Sequence, residues 1–227
     1  MITFIKTETP EEGINALAGR IAGDLNAGKK VMWLVAGGTN VEIAKESMTE
    51  IRRMVKPAQM KLLTVTQTDE RYGEVGHKDS NWQQMILAGF NFKDVKKIAV
   101  LRGLSLDETV KRWSKELENA FESADVIIGQ FGMGADGHIA GLLPHSQVIQ
   151  VNETVASSKD KKFTRITITP AVFKHINTAY AFVFGESKRR AVANLRNNEL
   201  SVEDQPAQLL KVIPDSTFYT DCECAII

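Results

Sequence analysis

The chain has 227 residues, 43% apolar and 25% charged, a balance that supports a packed core and excludes wholesale disorder, collagen and coiled-coil fibres. Lys and Arg total 28 and Asp and Glu total 28, so the global basic excess of a nucleic-acid binder is missing. No run approaches the ~18 apolar residues of a membrane span, and the start MITFIKTETPEEG lacks the basic-then-apolar form of a secretory signal, so neither a nucleic-acid nor a membrane partner is expected and the expected location is cytoplasmic.

Short β-branched runs alternate with segments of helical period. Residues 2–5 read as a strand. Thr9, Pro10 and Glu12 form a capping-box start with Pro at the first helical position. Ile14, Leu17, Ala18, Ile21 and Leu25 follow at helical spacing to a stop at Gly28. Residues 31–35 are a buried-type strand, broken by Gly37 and Gly38. The stretch from Thr39 to Glu42 repeats the capping pattern, ahead of a helix with Val41, Ala44, Met48 and Ile51 inward. A strand over 61–67 runs into a polar stretch, 68–79, then a short helix from Ser80 and Asn81 to about Ala88. Next come a strand over 97–101, a helix capped at Ser105 with Leu106, Val110, Trp113, Leu117 and Phe121 on one face, and a strand over 125–129. Over 163–169, Arg165, Thr167 and Thr169 alternate against Phe163, Ile166 and Ile168, a strand pattern, and Pro170 opens a helix. A strand over 178–184 leads through Gly185 to a helix with Ala191, Val192 and Leu195, which puts Lys188 in its first turn. Pro206 starts a last helix to Ile213, and Phe218-Tyr219 and residues 225–227 can form terminal strands. Cys222 and Cys224 are too close for an easy mutual disulfide and read as reduced thiols in or beside a strand.

Strand alternating with helix means a mostly parallel α/β sheet covered by helices, one domain over residues 1–227. Ligands on such sheets lie beyond the carboxyl ends of the strands. The loops that matter are therefore 36–40, 68–81, 129–146 and 185–188. Gly37-Gly38 before a helix start lets backbone amides approach an anion, a phosphate for example, or else makes only a tight turn. Arg71 is a natural phosphate fork and Asp69 stands nearest the strand end, although Asp69-Glu70-Arg71 also reads as a solvated charge cluster. Residues 159–162 read as a solvated basic loop. Gly132-x-Gly134-x-x-Gly137 matches the dinucleotide fingerprint, but Asp136 and His138 occupy the diphosphate's place and Pro144 interrupts any long helix. These glycines instead shape a loop that projects Asp136 and His138 into a shared site. His138 is the general-base candidate and Asp136 its orienting carboxylate. His77, His145 and His175 read as packing or capping residues. There is no Gly-x-Ser-x-Gly elbow, and the four histidines lack metal spacing. Lys188 in a first helical turn opposes the dipole, a local cost that an anionic ligand could offset, or else it is simply an exposed first-turn lysine.

At these residues the chain resembles a family. Gly132-Met133-Gly134-Ala135-Asp136-Gly137-His138-Ile139-Ala140, with Leu142-Leu143-Pro144, is similar to the signature of the 6-phosphogluconolactonases. So are Gly37-Gly38-Thr39, Asp69-Glu70-Arg71 with Ser80-Asn81, Arg165-Ile166-Thr167, Gly185-Glu186-Ser187-Lys188 and Pro206-Ala207, in the family's order over roughly residues 31–210. The resemblance implies a Rossmann-like sheet with helices on both faces, and hydrolysis of 6-phospho-D-glucono-1,5-lactone to 6-phosphogluconate in the pentose phosphate pathway, with no metal or organic cofactor. It implies His138 as general base and Asp136 as its support. Arg71 and Lys188 bind the phosphate with the Gly37-Gly38-Thr39 backbone, and Asp69 and Arg165 line the same site.

Related glucosamine-6-phosphate deaminases resemble the chain too, but they carry a glutamate where Leu143 stands, and Leu143 with Pro144 favours the lactonase. The alternatives are such an isomerase, a non-catalytic sugar-phosphate binder and, more remotely, a dinucleotide-dependent oxidoreductase. Two segments depart from the family's pattern. Its phosphate turn reads Ser-Gly-Gly-Ser-Thr-Pro or similar where this chain has Ala36-Gly37-Gly38-Thr39-Asn40-Val41, and Tyr72-Gly73 replaces a valine-proline pair.

Overall fold

The computed structural model of the chain describes residues 2–222. It starts with β1 (Ile2–Lys6) and α1 (Glu11–Asn26). The capping box expected at Thr9 and Glu12 does not form. Pro10 holds the cap position with helical backbone angles, and Glu11 and Glu12 complement the positive end of the helix instead. After β2 (Val31–Val35), α2 (Asn40–Met54) also lacks its expected cap. Thr39 has helical angles (φ −61°, ψ −20°), and its hydroxyl makes no cap bond, since side-chain capping needs an extended residue there. A 3-10 turn over Gln59–Leu62 shortens the next strand to β3 (Leu63–Gln67).

The polar stretch that follows contains β4 (Asp69–Arg71), which periodicity does not reveal, ahead of α3 (Asn81–Leu87). Ser80 caps α3 as expected, accepting from the Gln83 amide at 3.1 Å. β5 (Lys96–Ile98) is shorter than expected, whereas the Ser105–Glu108 capping box of α4 (Leu106–Ser123) forms in full. β6 (Val126–Phe131) runs past its expected end. A strand not anticipated from the sequence, β7 (Val155–Lys159), precedes β8 (Thr164–Ile168), α5 (Pro170–Phe173) and β9 (Thr178–Phe182). Glu186–Lys188 form a 3-10 turn, so Lys188 stands directly before α6 (Arg189–Asn197) and not in its first turn. The segment Pro206–Val212 is a 3-10 helix, and β10 (Asp215–Thr220) extends on both sides of Phe218-Tyr219. Cys222 is buried, its thiol beside the Gly185 carbonyl and the Asp221 carboxylate; Cys224 and the expected strand over 225–227 lie outside the described residues.

Seven strands form one sheet in the order β1-β10-β9-β6-β2-β3-β5, parallel at every pairing. At its centre β2 reads VMWLV and is buried throughout, as a parallel strand with cover on both faces must be. Side chains alternate across a strand. Val31, Trp33 and Val35 join the apolar layer made with α1 and α2, while Met32 and Leu34 join the layer made with α4 and α6. Full burial of one such side chain contributes about 1.5–3 kcal/mol. No helix among the described residues is long and apolar enough to cross a membrane.

The strand order positions the site. From β2 the chain moves outward to β3 and β5 on one side, while β6, β9 and β10 lie on the other. Loops leaving β2 and β6 therefore turn away from each other and leave a crevice at the carboxyl ends, where ligands of open α/β sheets bind. A second, antiparallel sheet, β4-β8-β7, stands over that crevice, with Asp69 opposite Thr167, Glu70 opposite Ile166 and Arg71 opposite Arg165. Ile166 and Ile168 anchor it in the α4 layer. Phe163, expected on the same side as these isoleucines, is not there, because it stands before β8 and an odd number of residues from Ile166. Its ring lies beneath the Arg165 guanidinium, 5.4 Å from ring centre to Cζ.

Candidate active site

The turns after β2, β6 and β9 meet strands β4 and β8 around one open cleft. Gly37, Gly38 and Thr39 line it from the turn after β2, Asp69 and Arg71 from β4, His138 from the loop after β6, Arg165 from β8 and Lys188 from the turn after β9. Asp136 is the exception among the expected site residues. It stands behind the imidazole and borders a separate depression with Arg190, Asn194 and Asp204. The pair therefore does not project jointly into one site, and only the histidine faces the cleft.

The geometry of that pair follows from its loop. Gly134 and Gly137 bond to each other and Gly134 to the His138 carbonyl (3.0 and 2.9 Å), closing a tight curl. Gly137 has φ +83°, a conformation open chiefly to glycine. At Gly134 a Cβ would lie 2.1 Å from His138 Nδ1 and 2.4 Å from an Asp136 carboxylate oxygen, so only a hydrogen fits. Asp136 Oδ1 receives the backbone amide of His138 at 3.2 Å and contacts Nδ1 at 2.7 Å. An ionised carboxylate only accepts, so Nδ1 carries a proton, and in the neutral imidazole Nε2 is then the nitrogen with the lone pair. The imidazole is 37% exposed, open enough to meet a small molecule. Burial pushes the Asp136 carboxyl up, but the imidazole and the amide outweigh it and hold it below its ordinary value.

The opposite wall is cationic. Arg71 and Arg165 face each other across β4 and β8, an arrangement that costs energy unless something intervenes. Phe163 does so, with Arg71 Cζ and Arg165 Cζ at 5.0 and 5.4 Å from its ring centre and Lys162 Nζ at 4.9 Å. Arg165 is largely neutralised by Asp160 (2.8 Å) and, more distantly, Asp69 (3.9 Å). Despite its partial burial, Asp160 is brought down to about 2 by the Phe163 and Lys162 amides and by Arg165. Arg71 makes no ion pair among the described residues; its Nη1 donates to the Asp79 carbonyl at 2.8 Å and its Nε is buried without a partner. Burial raises the Asp69 carboxyl above its usual range, and Arg165, the Thr68 hydroxyl, Arg71 and His138 offset this only in part.

Two turns complete the cleft. At the start of α2 the Thr39 hydroxyl is not spent as a cap, which leaves early helix amides to an outside acceptor. The Lys188 turn begins at Gly185 (φ +103°), whose amide donates to both carboxylate oxygens of Asp221 at 2.9 and 3.0 Å. Asn40, Asn81 and Ala140 also line the cleft, and sequence reasoning assigned them no role. Asn81 was visible only as part of Ser80-Asn81, and no periodicity marks Ala140, a non-glycine residue at φ +51°.

The family model described as "Glucosamine-6-phosphate isomerases/6-phosphogluconolactonase" matches residues 7–218 of this chain. The 6-phosphogluconolactonase of Synechocystis sp. is 25% identical over 155 residues, 63% of this chain and 64% of that protein. Its counterpart in Nostoc sp. is 30% identical over 142 residues, 56% of this chain and 57% of that one. In both cases the matched stretch spans less than two thirds of the relative's length. A Pseudomonas aeruginosa 6-phosphogluconolactonase is 26% identical over 201 residues, 83% of this chain and 79% of that one. Among solved structures, a 6-phosphogluconolactonase from Shewanella baltica is similar with a TM-score of 0.80 at 18% identity, covering 97% of this chain and 98% of that one. This last likeness is one of fold.

Proposed function

The chain belongs to the family of glucosamine-6-phosphate isomerases and 6-phosphogluconolactonases, and from that premise we propose that it hydrolyses 6-phospho-D-glucono-1,5-lactone to 6-phosphogluconate. The observation that carries the reading is the free Nε2 of His138, held by Asp136 and facing the same cleft as Arg71 and Lys188. A phosphate monoester carries about two negative charges near neutral pH. It docks between Arg71, Lys188 and the amides of the Gly37–Thr39 turn, and this grip positions the lactone carbonyl beside the imidazole.

Nε2 takes a proton from water as the water oxygen bonds to C1. Asp136 stabilises the imidazolium that forms. The C1 to ring-oxygen bond then breaks, the ring oxygen receives that proton, and the product leaves as a carboxylate after losing its acid proton to solvent. Leu143 favours hydrolysis over the family's isomerase chemistry, because an apolar side chain cannot move the proton that the isomerase resemblance assigns to a glutamate there.

The test is hydrolysis of freshly generated lactone, corrected for spontaneous opening. Turnover well above the spontaneous rate, without ammonia release from glucosamine 6-phosphate, is the expected result. A rate equal to the spontaneous one, with 6-phosphogluconate still bound, would identify a non-catalytic binder.

A further inference from the structure

We propose that Glu70 is a positioning residue for phosphate recognition, acting through Arg71. The inference rests on reading Arg71 as a phosphate ligand. On β4 the side chains alternate, so Asp69 and Arg71 face the cleft and Glu70 faces the interior. Glu70 is completely buried, and every donor it meets is neutral. Its Oε1 accepts the amides of Arg71 at 2.7 Å and Asn81 at 2.6 Å. Its Oε2 accepts Gln67 Nε2 at 2.7 Å, the Ser80 hydroxyl at 2.9 Å and the Trp82 amide at 3.0 Å.

Burying an anion without a cation is costly unless its lone pairs are filled. A plug whose purpose was only to fill space would be apolar. This carboxylate closes the polar loop between Arg71 and Asn81 onto a single oxygen atom. That closure brings Arg71 Nη1 to the Asp79 carbonyl and Asn81 Nδ2 to the Asp69 carbonyl at 2.9 Å. It also presses Asn81 against the anion turn, where a Cβ at Gly37 would lie 2.2 Å from Asn81 Oδ1. One buried carboxylate thus fixes the loop that holds the arginine in place.

A double-mutant cycle tests this with two probes that need no turnover, 6-phosphogluconate and inorganic phosphate, read by calorimetry alongside lactone kinetics. Glu70→Gln puts an amide NH2 where acceptors are required. It is expected to weaken both probes about 10-fold and raise KM to match, with kcat within about 2-fold and the acid limb of the pH profile unmoved. In an Arg71→Ala background the same change is expected to add less than about 2-fold. Equal effects in both backgrounds, or a fall in kcat with unchanged Kd, overturn the proposal. If Glu70→Gln does not fold, as judged by thermal melting, Glu70→Asp keeps the charge but shortens the reach, and the cycle decides in the same way. Wild-type protein that binds both probes but opens no lactone refutes the proposed reaction and leaves the Glu70 question to the Kd values. Wild-type protein that binds neither refutes both.

Discussion

The two sheets of this molecule divide its work. The seven-stranded sheet is parallel, its inner strands are apolar and buried, and it reaches the cleft through the turns beyond its strands: the glycine turn after β2, the His138 curl after β6 and the Lys188 turn after β9. The three-stranded sheet is short, antiparallel and polar, and it brings side chains: Asp69, Arg71 and Arg165. The first holds itself together by burying area. The second rests Ile166 and Ile168 on the α4 layer and is otherwise held by hydrogen bonds to the buried Glu70 carboxylate and by an aromatic ring among cations. Damage to one should therefore be read as lost stability, and damage to the other as lost affinity. The histidine curl, rooted in the first sheet but facing the second, is where neither description applies.

That junction is expected to give the largest effect. His138→Ala should cost about 10²–10⁴ in kcat, the usual worth of a general base, with an unchanged melting temperature, both measurable on one preparation. Wild-type-like turnover would remove the imidazole from the mechanism. Asp136→Asn should lower kcat and move the acid limb of the pH-rate profile to lower pH, because the imidazolium loses its anionic neighbour.

Within the large sheet, Leu34→Ala removes a fully buried side chain. It should cost about 2–5 kcal/mol in denaturant unfolding, with KM unchanged in the fraction that stays folded. In the small sheet the expected effect is on KM. Arg71→Ala should raise it about 10- to 100-fold, the worth of one or two charged hydrogen bonds. Arg165→Ala should raise it less, since Asp160 and Asp69 already occupy that guanidinium. The reverse ranking would mean that the wrong arginine has been given the phosphate.

The smallest effect concerns Asp69. Its folded-state carboxyl lies above the usual range, chiefly through burial. Over the interval between its unfolded and folded values the native chain binds more protons, so this group lowers stability as pH rises. Asp69→Asn should consequently melt slightly higher than wild type at neutral and alkaline pH, and the gap should close as pH falls.

The division between sheets also explains what was legible in the sequence. VMWLV could be read as a central strand because burial on both faces leaves a continuous apolar run. Ser80 and Ser105 could be read as caps because their backbone is extended there. Thr9 and Thr39 look the same on paper and do not cap, because the choice lies in backbone angles set by the preceding turn. β4 and β7 escaped notice because three polar residues, or VASSK, carry no period to detect. The cleft was legible in most of its members, which follow strand ends, while Arg165 sits within β8; eight of the nine expected residues line it. What the sequence could not supply was the side from which each one acts. Asp136 stands behind its histidine, Phe163 lies between arginines, and Glu70 points away from the cleft that it organises.

The parallel pairing of β1 with β10 has a consequence for biosynthesis. Of these strands β1 is translated first, yet its partner in the sheet is β10, the last. Of the strands in this sheet, the first to be made must wait for the last of them before it can pair. Asp221, which fastens the Gly185 turn, follows β10 directly, so the lysine's seat is secured in the same closing event. A nascent chain owns its imidazole and its arginines well before it owns a fixed ammonium group.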